Sequence, residues 1–149
     1  MKEETAQITT GELWARLFAA PKVERYLDEN SVSCERPSFA EYITQLANGR
    51  NEKPERIINR SGIERSFGHR LFSGTRNPSR DTVLQLAFGF ELDADGAQDL
   101  LKIAQMTPLH PKVKRDAVIA FCLHHQKTLI EAQCILHDNA LPILGGSKI

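Results

Sequence analysis

The sequence predicts an all-α fold, a compact helical bundle with an N-terminal helical segment and a C-terminal helical hairpin. Three observations point there. Valine, isoleucine and threonine never alternate with polar residues over a length that would make a strand. Apolar residues recur instead at the three- and four-residue spacing of a helix face. Three Ser/Thr-x-x-Glu sequences, at Thr9/Glu12, Ser38/Glu41 and Thr128/Glu131, have the spacing of the capping box that starts a helix.

The elements follow in order. "TTGELWARLFAA" opens at the first box, and Leu13, Trp14, Leu17 and Phe18 form its apolar stripe. Pro21 ends that helix or starts the next, "KVERYLDEN", with Val23, Tyr26 and Leu27 expected inward. "SVSCERP" reads as a connector. Ser38 then opens "FAEYITQLANG", where Phe39, Tyr42, Ile43 and Leu46 share a face and Gly49 is expected to stop the helix.

Pro54 suits the first turn of a helix, where its missing N–H costs nothing. Ile57 and Ile58 point inward, and Gly62 fits a left-handed cap. Ile63 plugs the core at the turn. "ERSFGHRLFSG" is a helix of about three turns. Phe67 and Leu71, four apart, face the core, which leaves Arg65, Ser66, His69 and Arg70 outward. "RNPS" is a loop, and Ser79 caps "RDTVLQLAFGF" with Asp81 in its first turn. Asp93 caps "ADGAQDLLKIAQM", whose apolar side is Leu100, Leu101, Ile103 and Ala104. Pro111 starts "KVKRDAVIAFCLHHQ", and Thr128 opens "LIEAQCILHDNAL", close enough behind it for an αα-hairpin. The tail "LPILGGSKI" is expected to fray, with Leu141, Ile143 and Leu144 as the residues able to pack back or meet a partner. The segments are therefore 1–35, 36–106 and 107–149.

Composition narrows the function. At 149 residues the chain is long enough for a sizeable core. The formal net charge is zero, so the molecule as a whole does not attract nucleic acid or an anionic membrane. The charge is unevenly spread, however. Positions 50 to 81 carry eight basic against four acidic residues, and positions up to 49 carry five against eight. No apolar run reaches membrane-spanning length. The polar N-terminus "MKEETAQITT" lacks a signal core, and Cys34, Cys122 and Cys134 are few and scattered, which together suggest a reducing cytoplasm.

From position 54 to 104 the chain resembles the Cro/repressor-type helix-turn-helix family, often called the Xre family. The likeness lies in the helix ending at Gly62, the apolar Ile63, the short basic helix, and above all "SGTRNPSRDTVLQLA". It covers about a third of the chain, with "FAEYITQLA" as the family's first helix. The resemblance implies a bacterial or phage-type regulator of transcription that binds double-stranded DNA, laying the helix at 64–73 in the major groove. It implies base contacts from Arg65, Ser66 and Arg70 with His69 close by, and phosphate or loop contacts from Thr75, Arg76, Asn77, Ser79 and Arg80. A homodimer is expected, because one motif covers too little DNA for useful specificity. Its contacts would come from the hairpin, the tail, or the helix carrying Trp14 and Phe18. Two positions depart from the family: isoleucine at 58, where alanine is usual, and glycine at 68, where a branched apolar residue is usual. A large Ile58 against a side-chain-less Gly68 would conserve volume.

Other chemistries are poorly supported by the sequence. Cys122/His125 and Cys134/His137 are i, i+3 pairs that could form a Cys2His2 zinc site, but the spacing differs from structural zinc knuckles, so no metal is expected. "GFELDADG" lacks the acidic spacing of a calcium loop. No phosphate-cradling glycine loop or nucleophile–base motif appears, so neither a cofactor nor enzymatic activity is expected. "KVKR" at 112–115 opens a helix where cations are disfavoured, and reads as solvated charge screened by Asp116 or as an anion contact. The alternative to DNA binding is an adaptor: a helical module that keeps the motif's shape and binds another protein.

Overall fold

A computed structural model of the chain describes residues 9–30 and 37–146. The connector at 31–36, with Cys34, and both chain ends lie outside the described residues. Among the described residues every regular element is a helix, so the protein is all-α. None of these helices is long and apolar enough to cross a membrane. The helices fall into two compact units, one within Met1–Arg36 and one within Pro37–Ile149.

The first unit holds α1 (Thr10–Ala19) and α2 (Val23–Glu29). Its capping box is complete: Thr9 Oγ1 accepts from the Glu12 amide, and Glu12 accepts from the Thr9 amide. No residue of either helix is buried. The expected inward placement of Val23 and Leu27 is therefore corrected; they are 52% and 49% exposed. Two helices this short form a single layer and cannot enclose a core between them. The order present is polar: buried Asn30 accepts from Arg16 Nη1 at 2.8 Å and donates to the Tyr26 carbonyl at 2.9 Å.

The second unit runs α3 (Phe39–Gly49), α4 (Pro54–Arg60), α5 (Arg65–Ser73), α6 (Arg80–Gly89), α7 (Ala94–Ile103), α8 (Lys114–His124) and α9 (Leu129–Asp138). α6 is the axle. Every residue from 82 to 90 is buried, because helices close around it rather than against one stripe. α4, α7 and α9 touch it, α3 rests on α5 and α7, and α8 joins α7 to α9. One continuous core takes Ile43, Ile57, Leu71, Leu86, Leu101, Ile119 and Leu136, a residue from each of the seven helices. The segment at 107–149 thus shares its core with the segment at 36–106. Burying a leucine or isoleucine fully is worth about 1.5–3 kcal/mol, and most of these side chains have no exposed area at all.

The polar groups inside are satisfied. Gln85 Nε2 donates to the Ser61 carbonyl at 3.1 Å, and Ser61 Oγ donates to the Ile57 carbonyl at 2.7 Å. α4 and α6 meet at Gly89 with no room for a side chain: a Cβ there would overlap Ser61 Oγ and lie 2.6 Å from the Ile57 carbonyl oxygen. The boxes at Ser38 and Thr128 form with both of their bonds.

Several boundaries differ from expectation. α3 runs through Gly49, and the left-handed residue is Asn51. α8 starts at Lys114 rather than at 112, after a turn in which the Lys112 amide donates to His110 Nδ1. The tail packs back as far as it is described: Leu144 is buried, and its amide and carbonyl are both held by the Gln133 side chain at 2.8 and 2.7 Å.

Two Arg-Asp dipeptides, at the starts of α6 and α8, clasp each other reciprocally. Arg80 forks onto Asp116, both bonds at 3.0 Å, and donates to the carbonyls of Thr107 and Pro108. Arg115 forks onto Asp81 at 2.9 and 3.0 Å and donates to the carbonyls of Pro142 and Ile143. The last basic residue of "KVKR" is therefore an internal tie and not a solvated charge. Partial burial pushes the Asp81 carboxyl up, but the Arg115 guanidinium, the Gly145 amide and the nearby Arg80 outweigh it and hold it below the ordinary aspartate range.

Candidate nucleic-acid interface

The stretch that resembles a helix-turn-helix consists of α4, a turn and α5. Ile57 and Ile58 anchor α4 in the interior. The turn needs a left-handed residue at 62, where φ is +67°, and only glycine adopts that freely. Ile63 is half-buried against the core, as its position after the turn requires. α5 then begins at Arg65, one residue later than the sequence suggested. Glu64 is its cap, accepting from the amides of Phe67 at 2.9 Å and Ser66 at 3.0 Å. Those amides hold the Glu64 carboxyl below its ordinary range.

Leu71 and Gly68 are buried and Phe67 is half-buried, which fixes how α5 is rolled. Arg65, Ser66, His69 and Arg70 are all exposed on the opposite face. The helix ends at Gly74, with φ at +86°, where the Arg70 carbonyl accepts from the amides of Gly74, Thr75 and Arg76. Thr75, Arg76 and Asn77 follow as an exposed loop beside the end of α5, with Thr75 Oγ1 3.1 Å from Ser73 Oγ. The roll of α5 therefore gathers four of the nine residues singled out in the sequence on one face: Arg65, Ser66, His69 and Arg70.

Ser79 and Arg80 have different employment. Ser79 Oγ accepts from the Thr82 amide at 3.1 Å as the cap of α6. Arg80 has its fork committed to Asp116 and to the carbonyls of Thr107 and Pro108, and moving it toward a phosphate would strand a buried carboxylate. Asn77 is exposed in the loop.

Two carboxylates on this face went unnoticed in the sequence. Glu55, on α4, pairs with Arg65 at 3.1 Å across the motif, both side chains remaining largely exposed. Glu64 occupies the amides at the start of α5, so that helix start already holds a carboxylate. The Glu64 cap was legible, since a carboxylate just before a helix accepts from its first amides. The Glu55–Arg65 pair depends on the crossing of two helices and left no local signal.

Cys122 lies in the core, where burial pushes its thiol up, while Cys134 is exposed. Among the described residues no three histidine, cysteine or acidic side chains gather as a metal site would require. No family model matches the chain, and neither does any curated protein or solved structure.

Proposed function

We propose that the protein is a sequence-specific DNA-binding regulator of transcription of the repressor type, acting as a homodimer with α5 as its recognition helix. The observation that carries this reading is the exposed stripe of α5. Two arginines, a serine and a histidine stand together on a short helix whose roll is set by Leu71 and Gly68. Arginine can donate two bonds to guanine O6 and N7, and Ser66 and His69 add shorter-reach donors. Arg76, exposed after the left-handed Gly74, supplies a phosphate contact beside the groove. Arg80 is left out of the set.

The second reading is a protein-binding adaptor. It is favoured by the carboxylates of Glu55 and Glu64, which partly neutralise the same face. Titration against random duplex DNA at two salt concentrations separates the two. The DNA reading expects binding that weakens steeply with salt. Arg70→Ala should cost about 1–3 kcal/mol on a preferred site and relax preference there. Arg76→Ala should weaken all sequences alike and reduce the salt slope by about one. Absence of salt-dependent binding even at about 50 mM salt would leave the adaptor.

A further inference from the structure

We infer that the protein has a binding site for a small amphiphilic monoanion, an apolar body bearing one carboxylate, in a cavity between the helix-turn-helix turn and the α8–α9 connector. The cavity measures about 320 Å³ and is lined from three directions: the end of α4 and Gly62, the end of α6, and residues 126–130. That volume is roughly twice the ~150 Å³ that accepts benzene and falls within the range of small-molecule sites. A two-ring or medium-chain body would therefore fit.

The lining sets the ligand's chemistry. Phe88, Leu92 and Leu129 are buried apolar surfaces of the cavity. Ile130, also in the lining, is 74% exposed, a large aliphatic side chain that an apolar ligand would cover. The charged groups are Arg60, Glu91 and Lys127. Arg60 is already taken, by Glu52 at 2.7 Å, Glu91 at 3.9 Å and the Gly89 carbonyl at 2.9 Å. Lys127 has no carboxylate partner among the described residues and is half-buried. One unpaired cation beside an apolar floor complements one negative charge on an apolar body. A dianion would leave a charge unmatched near Glu91, and a cation would be repelled by Lys127. Leu129 also packs on the turn so closely that a Cβ at Gly62 would lie 2.7 Å from its Cδ2. A ligand here touches the segment that positions α5. That coupling rests on the DNA reading; occupancy of the cavity does not, and occupancy is what the following experiment measures.

The probe is naphthoate, with naphthamide as its uncharged counterpart, each titrated against the full chain by calorimetry without DNA. The expected result is saturable one-to-one binding of naphthoate that is tighter than that of naphthamide. Lys127→Gln should weaken naphthoate by about threefold to fivefold, the scale of a partly exposed ion pair, and leave naphthamide unchanged. Ile130→Ser should weaken both. Neither variant should change the melting temperature, because neither side chain is in the core. Absence of saturable binding, equal affinity for the acid and the amide, or naphthoate binding that ignores both variants would each overturn the site.

Discussion

A Cβ added at Gly68 would lie 2.6 Å from Ile58 Cγ2 and 2.8 Å from Cγ1, so Ile58 occupies the space a side chain on α5 would otherwise fill. Ile58 is itself 2% exposed. The two departures from the family pattern are one packing decision, and the compensation was legible once both residues were read as a pair. A mid-helix glycine costs about 1 kcal/mol in propensity, and the filled space is what offsets it. Ile58→Ala should destabilise by about 2–5 kcal/mol through the cavity it leaves. Gly68→Val should cost about 1–3 kcal/mol by overpacking. The double variant should cost clearly less than the sum, since each change relieves the other. Urea denaturation of the four proteins measures this, and strict additivity would show that the residues do not share their space.

The helix ends show how strain is distributed among the elements. Asn51, Glu91, Gln105, Gln126 and Ala140 all have φ between +55° and +58°, each just past the end of a helix. In each case the next residue's amide reaches back five residues, as Leu141 does to the Leu136 carbonyl at 2.9 Å. The ends of α4 and α5 instead use glycine, at Gly62 and Gly74. The two junctions that set the position of α5 are thus free of the left-handed strain tolerated elsewhere. Sequence pointed to Gly62 as a left-handed cap, but the non-glycine caps have nothing to announce them, which is why Gly49 drew the end of α3 to the wrong residue. Ala140 has no side-chain bond to offset its conformation, so Ala140→Gly should raise stability by up to about 1 kcal/mol, the left-handed penalty less the added entropy of the unfolded chain. A rise in the thermal midpoint without loss of helicity checks it; a fall would mean the cap tolerates alanine without strain.

At the scale of the whole molecule, the reciprocal Arg–Asp ties join the start of α6 to the C-terminal hairpin and tail. Sequence could not pair them, because Arg80 and Asp116 lie 36 residues apart and Arg115 and Asp81 lie 34 apart, and nothing local marks a partner at that distance. The helices themselves were legible because their caps and stripes are local. The apolar stripe of the first unit was legible too, but not that Trp14 and Phe18 on it would stay exposed. Arg80→Ala should destabilise by about 3 kcal/mol, since it leaves Asp116 buried and unpaired, and any loss of DNA affinity should follow that unfolding rather than a shallower salt slope. Asp81 gives the tie a pH signature. Its carboxyl is held below the ordinary aspartate range when folded, so its contribution is fully present above the unfolded value and fades as pH falls through the lower folded one. Wild type should exceed Asp81→Asn in thermal midpoint at neutral pH, and the two should converge as pH falls below the ordinary aspartate range; a constant gap would locate the effect elsewhere. The complete enclosure of α6 has one more consequence, in isotope exchange. Amides at 82–90 lie inside every layer of the second unit, so they trade hydrogen for deuterium only when the whole unit opens. Their exchange rate is therefore a built-in gauge: any molecule that binds the folded form slows it by its own binding free energy, whichever surface it uses.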